Sequence, residues 1–123
     1  MSNISTRFWP EALKTIGHAA INAGAGAYVN IETGTAVRGN GLLNPSHQYY
    51  LVNSTDALLT FSWDGVVDHF VIPVGSYVLF DISSNAISPT GVLLLQAGTN
   101  TWIKGAPTTG SVYLTSFYAL TGN

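Results

Sequence analysis

The chain holds few residues able to do chemistry, and their spacing limits what they can do. His18, His47 and His69 are its only histidines, and no pair of them has the spacing of a zinc site. Asp64 and Asp68 are close enough in sequence to approach each other across a turn. Two carboxylates attract calcium, but that ion takes about six to eight oxygens, and the segment lacks the alternating Asp/Asn loop that supplies them. Asp68 and His69 are neighbours in a strand-like run, which sends them to opposite faces. Serines are plentiful, yet no Gly-x-Ser-x-Gly elbow accompanies them. Gly39-Asn40-Gly41 lacks the Lys-Ser/Thr ending of a phosphate loop. The chain has no cysteine, which excludes disulfides, thiol catalysis and cysteine zinc sites. No catalytic, cofactor-binding or metal residue is therefore assigned, and the expectation is a protein that is not an enzyme.

The remaining chemistry lies in the rings. Trp63, Trp102, Tyr49, Tyr50 and Tyr77 would form a sugar-stacking platform if three of them shared an exposed face. A carbohydrate-binding module or receptor-binding tip is the alternative function on that ground. Against it, aromatic residues are favoured in strands and cores for packing alone.

The elements that must position these residues are strands. Ala57–Ile82 reads ALLTFSWDGVVDHFVIPVGSYVLFDI, three apolar and β-branched runs broken by Asp64-Gly65 and Pro73–Gly75. That pattern marks an antiparallel all-β domain rather than βα units. The spacing predicts a strand over Leu13–Ala19, with a short helix from Pro10 as its rival, then strands over Ala27–Glu32, Gln48–Asn53, Leu58–Trp63, Val66–Ile72 and Tyr77–Ile82. The first pair after Gln48–Asn53 is expected to close through a two-residue hairpin turn at Asp64-Gly65. Val92–Gln96 and Thr101–Lys104 are expected to pair around Ala97–Asn100, and Val112–Leu120 closes the domain. The expectation is an antiparallel β-sandwich, jelly-roll-like, of about eight or nine short strands over residues 13–123, preceded by an N-terminal arm over residues 1–12.

Composition says what the surface is like. The chain has 123 residues and a net charge of −2, so it carries no basic footprint for nucleic acid. Only 8% of residues are Asp, Glu, Lys or Arg, against about 25% in ordinary domains. A surface so poor in charge is expected to be covered in large part by partner chains. No segment approaches the ~18–20 apolar residues of a membrane-spanning helix. The N-terminus has no apolar signal-like core, so synthesis in the cytoplasm is expected. Candidate contact residues are Phe8 and Trp9 on the arm, Arg38 in the long Thr33–Ser46 loop, and Tyr113 and Phe117 on the closing strand. That strand carries Val112, Leu114, Tyr118 and Leu120 on one face and Tyr113, Phe117 and Ala119 on the other. In a two-layer sandwich only one face meets the core, so the outer face is the expected subunit contact: the Tyr113 and Phe117 face, with the Val112, Leu114 and Tyr118 face as the alternative.

Four blocks in order carry a family resemblance. They are Asn53-Ser54-Thr55-Asp56 with Phe61-Ser62-Trp63-Asp64-Gly65-Val66-Val67-Asp68, then Val71–Asn85 (VIPVGSYVLFDISSN), Ala97–Lys104 (AGTNTWIK) and Pro107–Tyr113 (PTTGSVY). Over roughly Gln48–Leu120 the chain resembles small virion structural proteins of tailed bacteriophages, of the capsid decoration or cement type or the head–tail ring or collar type. The resemblance implies a β-sandwich located in the virion, partnered by capsid or head–tail proteins and by copies of itself, with no cofactor and no catalytic residues. It also implies that the shared residues mostly serve turns: Asp64-Gly65, Pro73, Gly75, Gly98 and Thr109-Gly110.

Overall fold

Residues 5–34, 41–44, 46–81 and 95–122 are described by the computed structural model. Arg38 and most of the predicted Val92–Gln96 strand lie outside them. So do the side chains of Phe8 and Trp9.

Period-two alternation sorts the side chains into two layers. In chain order the strands are β1 (Ser5–Pro10), β2 (Lys14–Gly17), β3 (Val29–Asn30), β4 (Gln48–Asn53), β5 (Leu59–Ser62), β6 (Phe70–Ile72), β7 (Tyr77–Asp81), β8 (Trp102–Lys104) and β9 (Ser111–Gly122). One sheet runs β1-β9-β4-β7, with β2 also laid on β9, and the other runs β3-β8-β5-β6. All pairings between these strands are antiparallel. The expected all-β sandwich is what forms. The first sheet turns Ile16, Tyr49, Leu51, Val112 and Leu114 inward. The second answers with Leu59, Phe61, Ile72 and Ile103, while Ile21, Ile31 and Leu42 complete the core.

β9 organises the first sheet because, at twelve residues, it is long enough to serve several partners. β4 takes one side of it over Val112–Phe117. β1 and β2 share the other side in series, β1 against Phe117–Gly122 and β2 against Ser111–Leu114. The Glu11 backbone N–H continues the ladder between them, donating to Ser116 O at 2.9 Å. The segment read from sequence as an arm thus has its Ser5–Pro10 stretch hydrogen-bonded along its own closing strand.

Several elements differ from the sequence expectation. The strand expected over Leu13–Ala19 stops at Gly17, where a five-residue helix, α1 (His18–Asn22), begins and plugs Ile21 into the core. Ala27–Glu32 is a strand only at Val29–Asn30. A 3-10 turn, Ile31–Gly34, follows and buries Ile31 and Glu32. β5 and β6 are joined by seven residues, Trp63–His69, and not by a two-residue turn. Gly65 has a positive φ of 78° as expected, but Asp64 does not, so the primed two-residue turn is not made. β8 pairs with β3 and β5, and not with the segment before it. Leu95 instead bridges Ser46.

One polar cluster lies inside the apolar layers. Lys14 Nζ pairs with Glu32 Oε2 and donates to Gly41 O at 2.9 Å, with both side chains buried. Beside them Glu11 accepts from the backbone of Leu43 and Asn44 at 3.1 and 2.7 Å. These bonds tie the 41–44 segment to the junction of β1 and β2.

Candidate functional site

The loop Trp63–His69 brings a serine, a histidine and an aspartate together, and its hydrogen bonds show how they are used. Ser62 Oγ donates to Asp64 Oδ1 at 2.8 Å and accepts from the N–H groups of Asp64 and Gly65. Asp64 Oδ1 also accepts from Val66 and Val67 N–H at 2.8 and 2.9 Å. His69 Nδ1 accepts from Trp63 N–H at 2.9 Å and lies 3.5 Å from Ser62 Oγ. The imidazole lone pair that would activate the serine is therefore occupied by the backbone, and the serine proton points at the carboxylate. Nucleophilic catalysis needs the reverse arrangement. The three side chains lock a loop. Backbone donors from Val67 and Val66, then the Ser62 hydroxyl, hold the Asp64 carboxyl down to about 2.

Asp68 turns away from this cluster. It accepts from the Tyr28 hydroxyl and pairs with Lys104 Nζ at 2.9 Å, while Lys104 sits 4.7 Å from the centre of the Tyr28 ring. The Tyr28 hydroxyl and then the Lys104 ammonium lower the Asp68 pKa. Desolvation first, and the Asp68 carboxylate second, push the Tyr28 phenol up to about 12. The pair is half-exposed, so it joins the loop to β8 without contributing much stability. Asp68 and His69 lie in the loop between β5 and β6, so the strand alternation expected to separate them does not apply. Among the described residues no group of three or more His, Cys, Asp or Glu side chains could hold a metal.

A second locked region lies at the end of β4. Asn53 is fully buried at the end of β4. Its amide donates to Ala57 O and Ile72 O at 2.9 Å each and to Pro73 O at 3.2 Å, and its Oδ1 accepts from Thr55 N–H and Oγ1. Asp56 reaches the opposite turn, accepting from Thr108 N–H at 2.7 Å, from the Thr108 hydroxyl and from Thr109 N–H at 3.2 Å. Those bonds, the Thr108 hydroxyl foremost, hold the Asp56 carboxyl down to about 2. Gly110, with φ 89°, lets that turn press on Ser54, whose carbonyl would overlap any side chain there. Asn53-Ser54-Thr55-Asp56, Pro73–Ser76 and Pro107–Gly110 thus meet at one end of the sandwich. Their role is turn-making.

Of the candidate contact residues, Tyr113 and Phe117 lie among the described side chains, and they fall on one face. β9 buries Val112, Leu114 and Ser116 and turns Tyr113, Thr115 and Phe117 outward. Cross-strand register sets Tyr113 beside Val52 and Val52 beside Tyr77. It also sets Thr115 beside Tyr50 and Tyr50 beside Leu79. Tyr77 is 63% exposed, Leu79 48% and Tyr113 40%. The Tyr50 and Tyr77 rings meet tilted, 5.3 Å between centres. The sequence candidates Tyr113 and Phe117 lie on this face, as do Tyr50 and Tyr77, which the sequence offers as platform rings, and Val52 and Leu79, which it does not single out. The signal for Val52 and Leu79 is the same alternation, present in QYYLVN and YVLFD.

The five rings proposed as a platform are dispersed. Tyr49 is buried, with its hydroxyl on Thr101, and burial followed by the Glu32 and Glu11 carboxylates pushes that hydroxyl's pKa up. Tyr50 and Tyr77 lie on the outer face of the first sheet. Trp63 packs edge-on to Tyr49 and Phe80 at 5.4 and 5.7 Å. Trp63 and Trp102 both line an open cavity of about 500 Å³ on the second sheet.

Gly65 stands over the Trp102 indole, where an added Cβ would come within 2.9 Å of the ring. With its positive φ as well, Gly65→Val is expected to lower stability by about 1–2 kcal/mol from backbone strain alone, and by more from the clash. Thermal melting checks this, and an unchanged Tm would refute the loop geometry.

Comparison of the chain with protein-family models, curated proteins and solved structures gave no match in any of the three.

Proposed function

We propose that this chain is a non-catalytic virion structural subunit that binds sister copies and neighbouring capsid or head–tail proteins through the outer face of its five-stranded sheet. The observation that carries the reading is the run of exposed rings and aliphatic side chains across β9, β4 and β7. Contiguous exposed apolar surface marks interaction sites on soluble proteins. Aromatic residues are enriched and charges depleted at interface cores. Asp81, at one end of the face, is the charged side chain in these rows among the described residues. The low overall charge and the four resembling blocks support the same reading.

The test introduces charge into the face. Tyr113→Glu with Phe117→Glu is expected to leave the far-ultraviolet spectrum and folding unchanged, because both side chains point away from the core. It is expected to weaken self-association and incorporation into particles at least about tenfold, since burying even one unpaired charge costs more than the ~1.4 kcal/mol of a tenfold change. Raising salt is expected to leave wild-type assembly intact, because screening acts on exposed charges. Light scattering and particle incorporation read both results. A folded variant that assembles normally, or a wild type that moderate salt releases, would overturn the assignment.

A further inference from the structure

The cavity on the second sheet lies apart from the proposed protein contact, and its lining has a chemistry of its own. Trp63 and Trp102 supply two half-buried indoles, and Leu95, Gln96, Thr99 and Asn100 complete the wall. Among the described residues the lining contains no Asp, Glu, Lys, Arg or His. It combines aromatic carbon with uncharged amide and hydroxyl groups. Binding sites of this kind use apolar surface for affinity and a few placed polar groups for orientation.

The wall is built in advance. Ser46 and Leu95 exchange backbone hydrogen bonds at 2.8 and 3.1 Å, Leu42 N–H donates to Thr99 O at 3.0 Å, and Gly98 N–H donates to Leu42 O at 2.7 Å. Within the turn, Thr99 N–H and Oγ1 both donate to Gln96 O, at 3.1 and 2.7 Å. Asn100 is oriented as well. Its Oδ1 accepts from Asn30 Nδ2 at 3.1 Å and one of its amide hydrogens goes to Gly98 O at 3.3 Å, leaving the other to donate. Among the described residues the exposed Gln96 amide makes no side-chain hydrogen bond, so it offers both donor and acceptor. A preformed wall spares a ligand the cost of ordering it.

We propose that this cavity is a binding site for a neutral sugar. A pyranose carries C–H groups on one face, which suit the negative face of an indole, and hydroxyls around its rim, which both donate and accept. The free amide groups of Gln96 and Asn100 match that rim. A phosphate, sulfate or sialic acid would find no cation among the described lining residues.

Titrating the intrinsic tryptophan fluorescence of the full chain with neutral oligosaccharides (glucose-, galactose- and N-acetylglucosamine-based), alongside sialylated glycans and a proline-rich peptide, tests this. Saturable binding of a neutral oligosaccharide is expected, weakened about tenfold by Gln96→Ala, the size of one to two lost hydrogen bonds. Gln96 is exposed, so that variant keeps its fold, and Trp102→Phe offers a second folded variant with a smaller stacking surface and weaker binding. Absence of saturable sugar binding, preference for the acidic glycan or the peptide, or binding untouched by both variants would overturn the proposal.

Discussion

Lys14→Met is expected to lower the stability of the fold by about 3–5 kcal/mol at neutral pH, whereas Lys14→Met combined with Glu32→Leu is expected to recover most of that loss, short of the ~1–3 kcal/mol left by the Gly41 carbonyl that loses its donor. The two charged side chains are 6% and 7% exposed, and they neutralise each other between β2 and the 3-10 turn. Removing the ammonium leaves a carboxylate in the interior whose second oxygen, Oε1, is buried with no hydrogen-bond partner among the described residues. Removing both charges leaves apolar side chains of similar size beside an existing core, and such exchanges are often neutral or stabilising. The order of stabilities is the test: single variant far below double. Urea unfolding of the three proteins measures it. Equal losses in single and double variants would show that the pair is not buried as described.

This pair also shows where sequence reading stops. The strand alternation in Gln48–Asn53 and Val112–Leu120 was legible because it is local, and it placed Tyr113 on the outer face. Lys14 and Glu32 are eighteen residues apart, and nothing local marks either as an inward charge. Lys14 belongs to a strand that ends earlier than the sequence predicts, and Glu32 to a segment that reads as strand but forms a 3-10 turn. The same holds for the loop after β5. Asp64-Gly65 suggested a tight hairpin by composition, but Ser62, Asp64 and His69 stabilise a seven-residue loop through side chain to backbone bonds. Such bonds compete with the ladder and cannot be counted from propensity. The Trp63–Trp102 cavity is a product of tertiary folding, since its walls come from segments some forty residues apart.

The N-terminal segment changes meaning for the same reason. Read as an arm, Phe8 and Trp9 are anchors for a neighbour. With Ser5–Pro10 paired along β9, deletion through Trp9 would strip a ladder from the longest strand and expose its edge. A loss of assembly in that truncation would therefore report on folding as much as on docking, and the Tyr113 and Phe117 substitutions isolate the contact better.

Asn53→Asp is the most informative change at the turn-making end, and it is expected to cost about 3–5 kcal/mol at pH 7. The substitution preserves shape. What changes is that the group donating to Ala57, Ile72 and Pro73 carbonyls becomes an oxygen facing three oxygens, in a fully buried position. Asn53 also holds β4 to β7 through its backbone, accepting from Gly75 N–H at 3.0 Å and donating to Ser76 O at 2.9 Å, so the loss spreads to the turn between β6 and β7. The sign with pH follows from the direction of the shift. An aspartate there has its folded pKa raised above the unfolded value of about 3.9, because burial and the three carbonyls disfavour the charged form. The unfolded state then ionises first, so the penalty grows as pH rises above the unfolded pKa and shrinks below it, where the acid is neutral in both states. Urea unfolding at pH 4 and pH 7 should show the variant much closer to the wild type at the lower pH. A loss of the same size at both pH values would mean that shape or packing, and not the facing carbonyls, makes Asn53 indispensable, and a loss under about 1 kcal/mol at pH 7 would remove it from its place at the centre of that corner.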